Sequence, residues 1–185
     1  LLRRLETEGD EWDELTVDTR WLLVETYRMP NPRQDELSRA IKAARVFLAH
    51  APRDPRAVKA AYHIPMAYQR HGRSDLAIEA YRAFIRGEGY GLPEGGAAAA
   101  PLPDANKSPA EMQSEWQQQA LYVIGSIQFS QKDFDAAIET WQQYIVQHPN
   151  GPHWSQSQNG VINAEFQQGV KALADEEYGE ARERF

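Results

Sequence analysis

Residues 133–150 read DFDAAIETWQQYIVQHPN, and this stretch decides the fold. Phe134, Ala137, Ile138, Trp141, Tyr144 and Ile145 recur at steps of three and four, so a helix places them on one face. Asp133 or Asp135 can accept a hydrogen bond from the free amides of the first turn. His148-Pro149-Asn150-Gly151 ends the helix, because proline cannot continue the ladder. A helix with one apolar stripe cannot bury it alone, so the stripe requires neighbours of the same kind.

Working outward, the same punctuation returns along the chain. Leu1, Leu2 and Leu5 share one side of a short helical tail that Gly9-Asp10 breaks. A helix is predicted from about Glu11 to Met29, with Trp12, Leu15, Leu22, Leu23 and Tyr27 inward and Thr16-Val17 as its weak point. Pro30-Asn31-Pro32 stops it. Asp35 opens another to about Ala51. Asp54 before Pro55 reads as the start of a helix to about Arg70, with Pro65 inside it. After His71-Gly72, Ser74 or Asp75 caps a helix carrying Leu76, Ala77, Ile78, Tyr81, Phe84 and Ile85 inward.

Residues 87–109 are dense in Gly, Pro and Ala and read as a long insertion loop. Ser108 with Glu111 has capping-box spacing and opens a helix to about Ser130. The last long helix starts at Trp154 or Ser155, with Val161, Ile162, Phe166, Val170 and Leu173 inward. One more begins near Tyr178.

The 185 residues carry a net charge of −7, unevenly spread. From Arg28 to Arg86 there are twelve Lys/Arg against five Asp/Glu; from Gly91 to Phe185 there are five against thirteen. The acidic balance argues against general nucleic-acid binding, while the basic half reads either as Arg-rich solvated helix faces or as a surface that steers an acidic partner. No run of about 18 apolar residues exists, so no transmembrane segment is expected. Cysteine is absent, which excludes disulfides, thiolate metal sites and a cysteine nucleophile. Leu1 is not Met and Phe185 falls inside a pattern, so both ends read as cuts in a longer polypeptide.

Sites for chemistry are not found. None of the five histidines forms HExxH, and His148 and His153 lie in a Pro/Gly turn. There is no P-loop, GxGxxG or GxSxG, so no cofactor, metal or catalytic residue is assigned. The paired acids sit at helix starts, where negative charge suits the helix dipole.

Three places share a local grammar: Ala77-Ile78 with Tyr81, Ala137-Ile138 with Trp141, and Ala181 with Phe185, with Ala40-Ile41, Ala44 and Phe47 as a fourth. Gly125 and Gly169 sit twelve residues before Ala137 and Ala181, and Pro65 twelve before Ala77. A small residue there lets two antiparallel helices approach.

This grammar resembles the tetratricopeptide repeat, best in Leu121, Ile124-Gly125, Phe134, Ala137-Ile138, Trp141 and Pro149-Asn150. The resemblance implies an all-α fold, a right-handed α-α superhelix of antiparallel helix pairs at about 11–51, 55–86, 110–149 and 154–185, the last incomplete. Spacings of 37, 60 and 44 residues depart from the family period of about 34. Such irregular lengths are similar to the divergent repeats of bacterial cell-envelope scaffolds, which favours the periplasm or envelope and a parent protein longer than this chain.

What the resemblance implies for function is a non-catalytic scaffold for protein–protein interaction. The alternative is an accessory helical domain of a larger enzyme or macroglobulin-like multidomain protein, with its active site elsewhere. In such arrays the first helix of each pair lines the inner groove. That places Lys59, Tyr62, Met66, Gln69 and Arg70 there from one unit, and Gln119, Tyr122, Ser126 and Phe129 from the next, facing a protein or peptide. The other reading of Tyr62 and Tyr122 is that they pack across the seam between units.

Overall fold

The structure, a computed structural model, describes residues 15–92 and 108–175 together with 179 and 182. Among these, every regular element is helical: α1 (Val17–Thr26), a 3-10 turn (Gln34–Glu36), α2 (Leu37–His50), α3 (Ala57–Arg70), α4 (Ser74–Ile85), α5 (Pro109–Ser130), α6 (Phe134–Gln147) and α7 (Trp154–Ala174). The expected helix at 1–8 and the Ala181–Phe185 pair lie outside the described residues, as do residues 93–107 of the insertion. The chain forms two compact units, residues 1–114 and 115–185.

In the first unit α1 packs on α2, α2 on α3, and α3 on α4. The α3–α4 hairpin is antiparallel. Tyr62 near the start of α3 meets Phe84 near the end of α4, with ring centroids 5.2 Å apart, while Gln69 meets Tyr81 at 2.8 Å. Its core is Val58, Ala61, Ile64, Ala67, Ala77, Tyr81 and Phe84. The first residues of the insertion are tied down: Tyr90 stacks on Phe84 at 5.0 Å, its hydroxyl donates to the Phe84 carbonyl, and Gly91 N donates to Pro52 O.

In the second unit Trp141 of α6 is the centre. A Cβ on Gly125 of α5 would fall 2.6–2.8 Å from its ring, and one on Gly160 of α7 would fall equally close on other ring atoms. The indole is therefore clasped between two bare backbones, and its Nε1 donates to the Tyr122 carbonyl at 3.2 Å. Ala137 and Ala164 are buried beside it, with Phe129, Phe134, Ile138 and Val161 around them.

The joints between helices repeat bond for bond. After α3, Gly72 N donates to Gln69 O and Arg73 N to Tyr68 O. After α5, Lys132 N donates to Phe129 O and Asp133 N to Gln128 O, 60 residues on in every case. Gly72 and Lys132 both take the left-handed backbone, at φ 67° and 63°. The joint from α2 to α3 likewise matches that from α6 to α7 at an offset of 97. The bonds Ala51 N to Phe47 O, Asp54 N to Ala51 O and Ala57 N to Asp54 O return as His148 N to Tyr144 O, Gly151 N to His148 O and Trp154 N to Gly151 O.

Several expectations are corrected. Helix α1 starts later than Glu11, and Thr16 is its cap, accepting Thr19 N at 3.3 Å. Leu22, expected inward, is 59% exposed. Asp54 does not cap α3. Its carboxylate accepts the Arg56 amide and guanidinium in a turn, and the helix begins at Ala57. Neither Ser74 nor Asp75 caps α4, whose N-cap is Arg73 with no side-chain bond. In α7, Ile162, Phe166, Val170 and Leu173 are exposed. The helix instead presents Gly160, Val161 and Ala164 to α6, because the bulk at that seam comes from Trp141. The capping box holds as read: Ser108 N donates to Glu111 Oε2 at 2.8 Å and Glu111 N to Ser108 Oγ at 3.3 Å. Asp133 caps α6 through Ala136 N.

Candidate protein-binding surface

Lys59, His63, Met66 and Arg70 fall at steps of four, three and four, so they share one side of α3. That side faces α1. Lys59 Nζ stands 5.9 Å from the Trp21 ring centroid, and Arg70 donates to Asn31 Oδ1 in the loop after α1. Lys59 and Met66 are half-buried, and Arg70 is exposed. His63 has no hydrogen-bond partner for its buried Nδ1. Burial, with the charges of Lys59 and Arg70 behind it, lowers its pKa to about 4, so the ring is neutral there.

Tyr62 and Gln69 point elsewhere. The Tyr62 ring lies against Tyr81 and Phe84 inside the hairpin, 7% exposed, and burial pushes its pKa up to about 12. Gln69 accepts the Tyr81 hydroxyl.

On α5, Gln119 Oε1 lies 2.6 Å from His153 Nε2, and the Tyr122 ring stacks flat on the same imidazole at 4.5 Å. His153 N donates to Tyr144 Oη, so these three side chains clamp the α6–α7 joint. Ser126 Oγ donates to the Tyr122 carbonyl at 3.1 Å. Phe129 meets Phe134 edge-on at 5.4 Å and Trp141 at 5.8 Å. All four remain half-buried.

Sequence reasoning passed over Arg56. Its guanidinium pairs with both oxygens of Asp54, at 2.7 and 2.8 Å, reaches Asp18 of α1 at 2.9 Å, and lies over Trp21 and Phe47 at 5.6 and 5.7 Å. These bonds hold its pKa above the usual guanidinium range, with Asp54 the larger cause. Burial pushes the Asp54 carboxyl up, but the Arg56 hydrogen bonds outweigh it and keep the carboxylate ionised. The signal available was Asp54-Pro55-Arg56, a turn that brings an acid and a base together.

Among the described residues no group of three or more His, Asp or Glu is placed to hold a metal ion. No described helix is long and apolar enough to cross a membrane.

Residues 119–151, from the middle of α5 into the joint after α6, match the family model described as Tetratricopeptide repeat. No curated protein matches the chain. With the all-helical fold and the hairpin joints, the match supports a tetratricopeptide-like helical repeat, and repeats of that kind typically bind proteins or peptides.

Proposed function

We propose that the chain is a non-catalytic scaffold that holds a protein or peptide partner, as part of a larger bacterial envelope protein. One observation carries this reading. The same pair of joints closes successive hairpins at constant offsets of 60 and 97 residues, and one copy lies within the matched repeat. Hairpins built this way leave helix sides open for a guest rather than enclosing a reaction. The unequal repeat lengths support an envelope scaffold over a regular adaptor.

In the first unit the partner lies along Lys59, Met66 and Arg70 of α3; the second unit, taken by itself, offers the open edges of Gln119 and Tyr122 on α5. Tyr62, Gln69, Ser126 and Phe129 work from beneath by fixing the helices that carry the contact. Half-buried Met66, flanked by the half-buried Lys59 and the exposed Arg70, suits a partner with an apolar anchor and acidic residues.

A photo-crosslinking residue at Met66 tests this, with Val146, 79% exposed on α6, as the control position. The expected result is one polypeptide captured from Met66 alone, and lost when Lys59→Glu and Arg70→Glu are combined. Equal capture from both positions, or capture indifferent to the charge reversal, refutes the assignment.

A further inference from the structure

A second surface lies on the other side of α3. Residues 61, 64 and 68 stand opposite Lys59 and Arg70 around the helix. There α2 and α4 both lean on α3 and leave a furrow between them. It has two chambers, of about 650 and 330 Å³, which share Arg45 and Ala49 and so lie side by side along α2. Its length follows α2, whose 14 residues extend roughly 21 Å.

The floor is apolar. Ile41, Tyr68 and Leu76 line the larger chamber, and Ile64, Ala80 and Ala83 the smaller. Leu76 is 46% exposed, an apolar side chain left in water at the rim. The rim is basic. Lys42, Arg45 and Arg73 line the larger chamber, and no carboxylate does so among the described residues. The smaller chamber holds Glu88, but Arg86 engages that carboxylate.

We propose that this furrow binds an amphipathic helix of a partner protein whose apolar stripe is flanked by Asp and Glu. Three features select this occupant. A trough about 21 Å long suits an elongated ligand of about four helical turns better than a compact metabolite. The apolar floor needs a side-chain stripe, which the backbone of a nucleic acid lacks. The exposed guanidinium groups of Arg45 and Arg73 at the rim need negative flanks, and they lie in the segment Arg28–Arg86, where twelve basic residues stand against five acidic ones. The small side chains of Ala49, Ala80 and Ala83 let a helix backbone settle close. The proposal stands apart from the surface on the α1 side of α3, and either can fail alone.

The test uses the full chain and a fluorescein-labelled synthetic helix of about 16 residues, with leucines along one face and glutamates beside them. A control peptide carries lysines in place of the glutamates. Fluorescence anisotropy is expected to show saturable binding of the glutamate peptide, at least tenfold tighter than the control and weakening as salt rises. Arg45→Glu with Arg73→Glu is expected to lower affinity at least tenfold. Both side chains are exposed, and circular dichroism checks that the fold survives. Ala80→Trp, which fills the trough without changing charge, is expected to do the same. Lys59→Glu with Arg70→Glu leaves the affinity unchanged.

Absence of saturable binding overturns the proposal, as does equal binding of both peptides. Loss only in the Lys59/Arg70 variant overturns it too, while leaving the scaffold reading intact. Self-association of the chain in sedimentation that the glutamate peptide reverses, or preferential displacement of the peptide by a single-stranded oligonucleotide, assigns the furrow to another occupant and equally rejects it.

Discussion

Replacing Gly160 by alanine tests the clasp around Trp141. On helix propensity alone, Gly→Ala in the interior of α7 stabilises by about 1 kcal/mol. The structure sets a steric cost against that gain. The new Cβ falls 2.6, 2.7 and 2.8 Å from three ring atoms of Trp141, well inside ordinary carbon contact near 3.5 Å. The ring has little room to retreat, because its other edge lies so near the bare backbone of Gly125 that a Cβ there would fall equally close, and its Nε1 is bonded to the Tyr122 carbonyl. Overpacking of a closed core costs about 1–3 kcal/mol. The net expectation is a loss of about 1 kcal/mol, read by urea denaturation followed by circular dichroism. In a Trp141→Leu background the obstacle is gone, and Gly160→Ala is expected to stabilise by up to about 1 kcal/mol. The double-mutant cycle therefore yields a coupling of about 2 kcal/mol. If Gly160→Ala stabilises the parent protein, or if the coupling is near zero, the clasp is not what holds α5, α6 and α7 together.

Other expectations follow from the joints, the caps and a buried imidazole. Gly72→Ala is expected to cost about 1 kcal/mol although nothing lies within 4 Å of the added carbon, since the strain is in the left-handed backbone alone. Lys132→Gly at the matching position is expected to stabilise by about 0.5–1 kcal/mol, and chemical denaturation of both variants shows whether the signs oppose. Ser108→Ala removes half of the capping box and is expected to cost about 1 kcal/mol, with hydrogen exchange rising first in the opening turn of α5. His63 titrates near 4 in the folded chain, below the usual value of 6.5, so between these values the unfolded chain binds more protons. Stability from this group is full above pH 6.5 and falls as acid approaches pH 4, by up to about 3 kcal/mol. His148 and His153 shift in the same direction through burial, so His63→Gln is expected to flatten the pH dependence without abolishing it. An unchanged profile in that variant refutes the account.

Helix α6 was legible because cap, stripe and stop agree: Asp133, then Ala137 and Trp141, then Pro149. Helix α7 was misread for a physical reason. Its largest apolar residues, Phe166 and Leu173, dominate any reading by periodicity, yet a seam is filled once. Trp141 already supplies the volume, and so α7 must offer Gly160 and Ala164. Size compensation between helices cannot be seen within either helix. Similarly, Asp54 looked like a cap because Asp-Pro favours one, but Arg56 two residues on competes for the carboxylate and wins with two short bonds. For the candidate surface, a period of 3.6 gives the sides of α3 but not which neighbour each side meets. Lys59 and Tyr62 are adjacent on a helical wheel, yet one reaches Trp21 and the other enters the hairpin.

The matching joints also bear on how such a chain can change over generations. The bonds that close the turn after α2 are those that close the turn after α6. A genetic crossover between these points would rejoin the chain while keeping the three backbone bonds that the two turns share. Modules cut there are exchangeable parts, so the chain can grow or shrink by whole hairpins while its hinges stay in register.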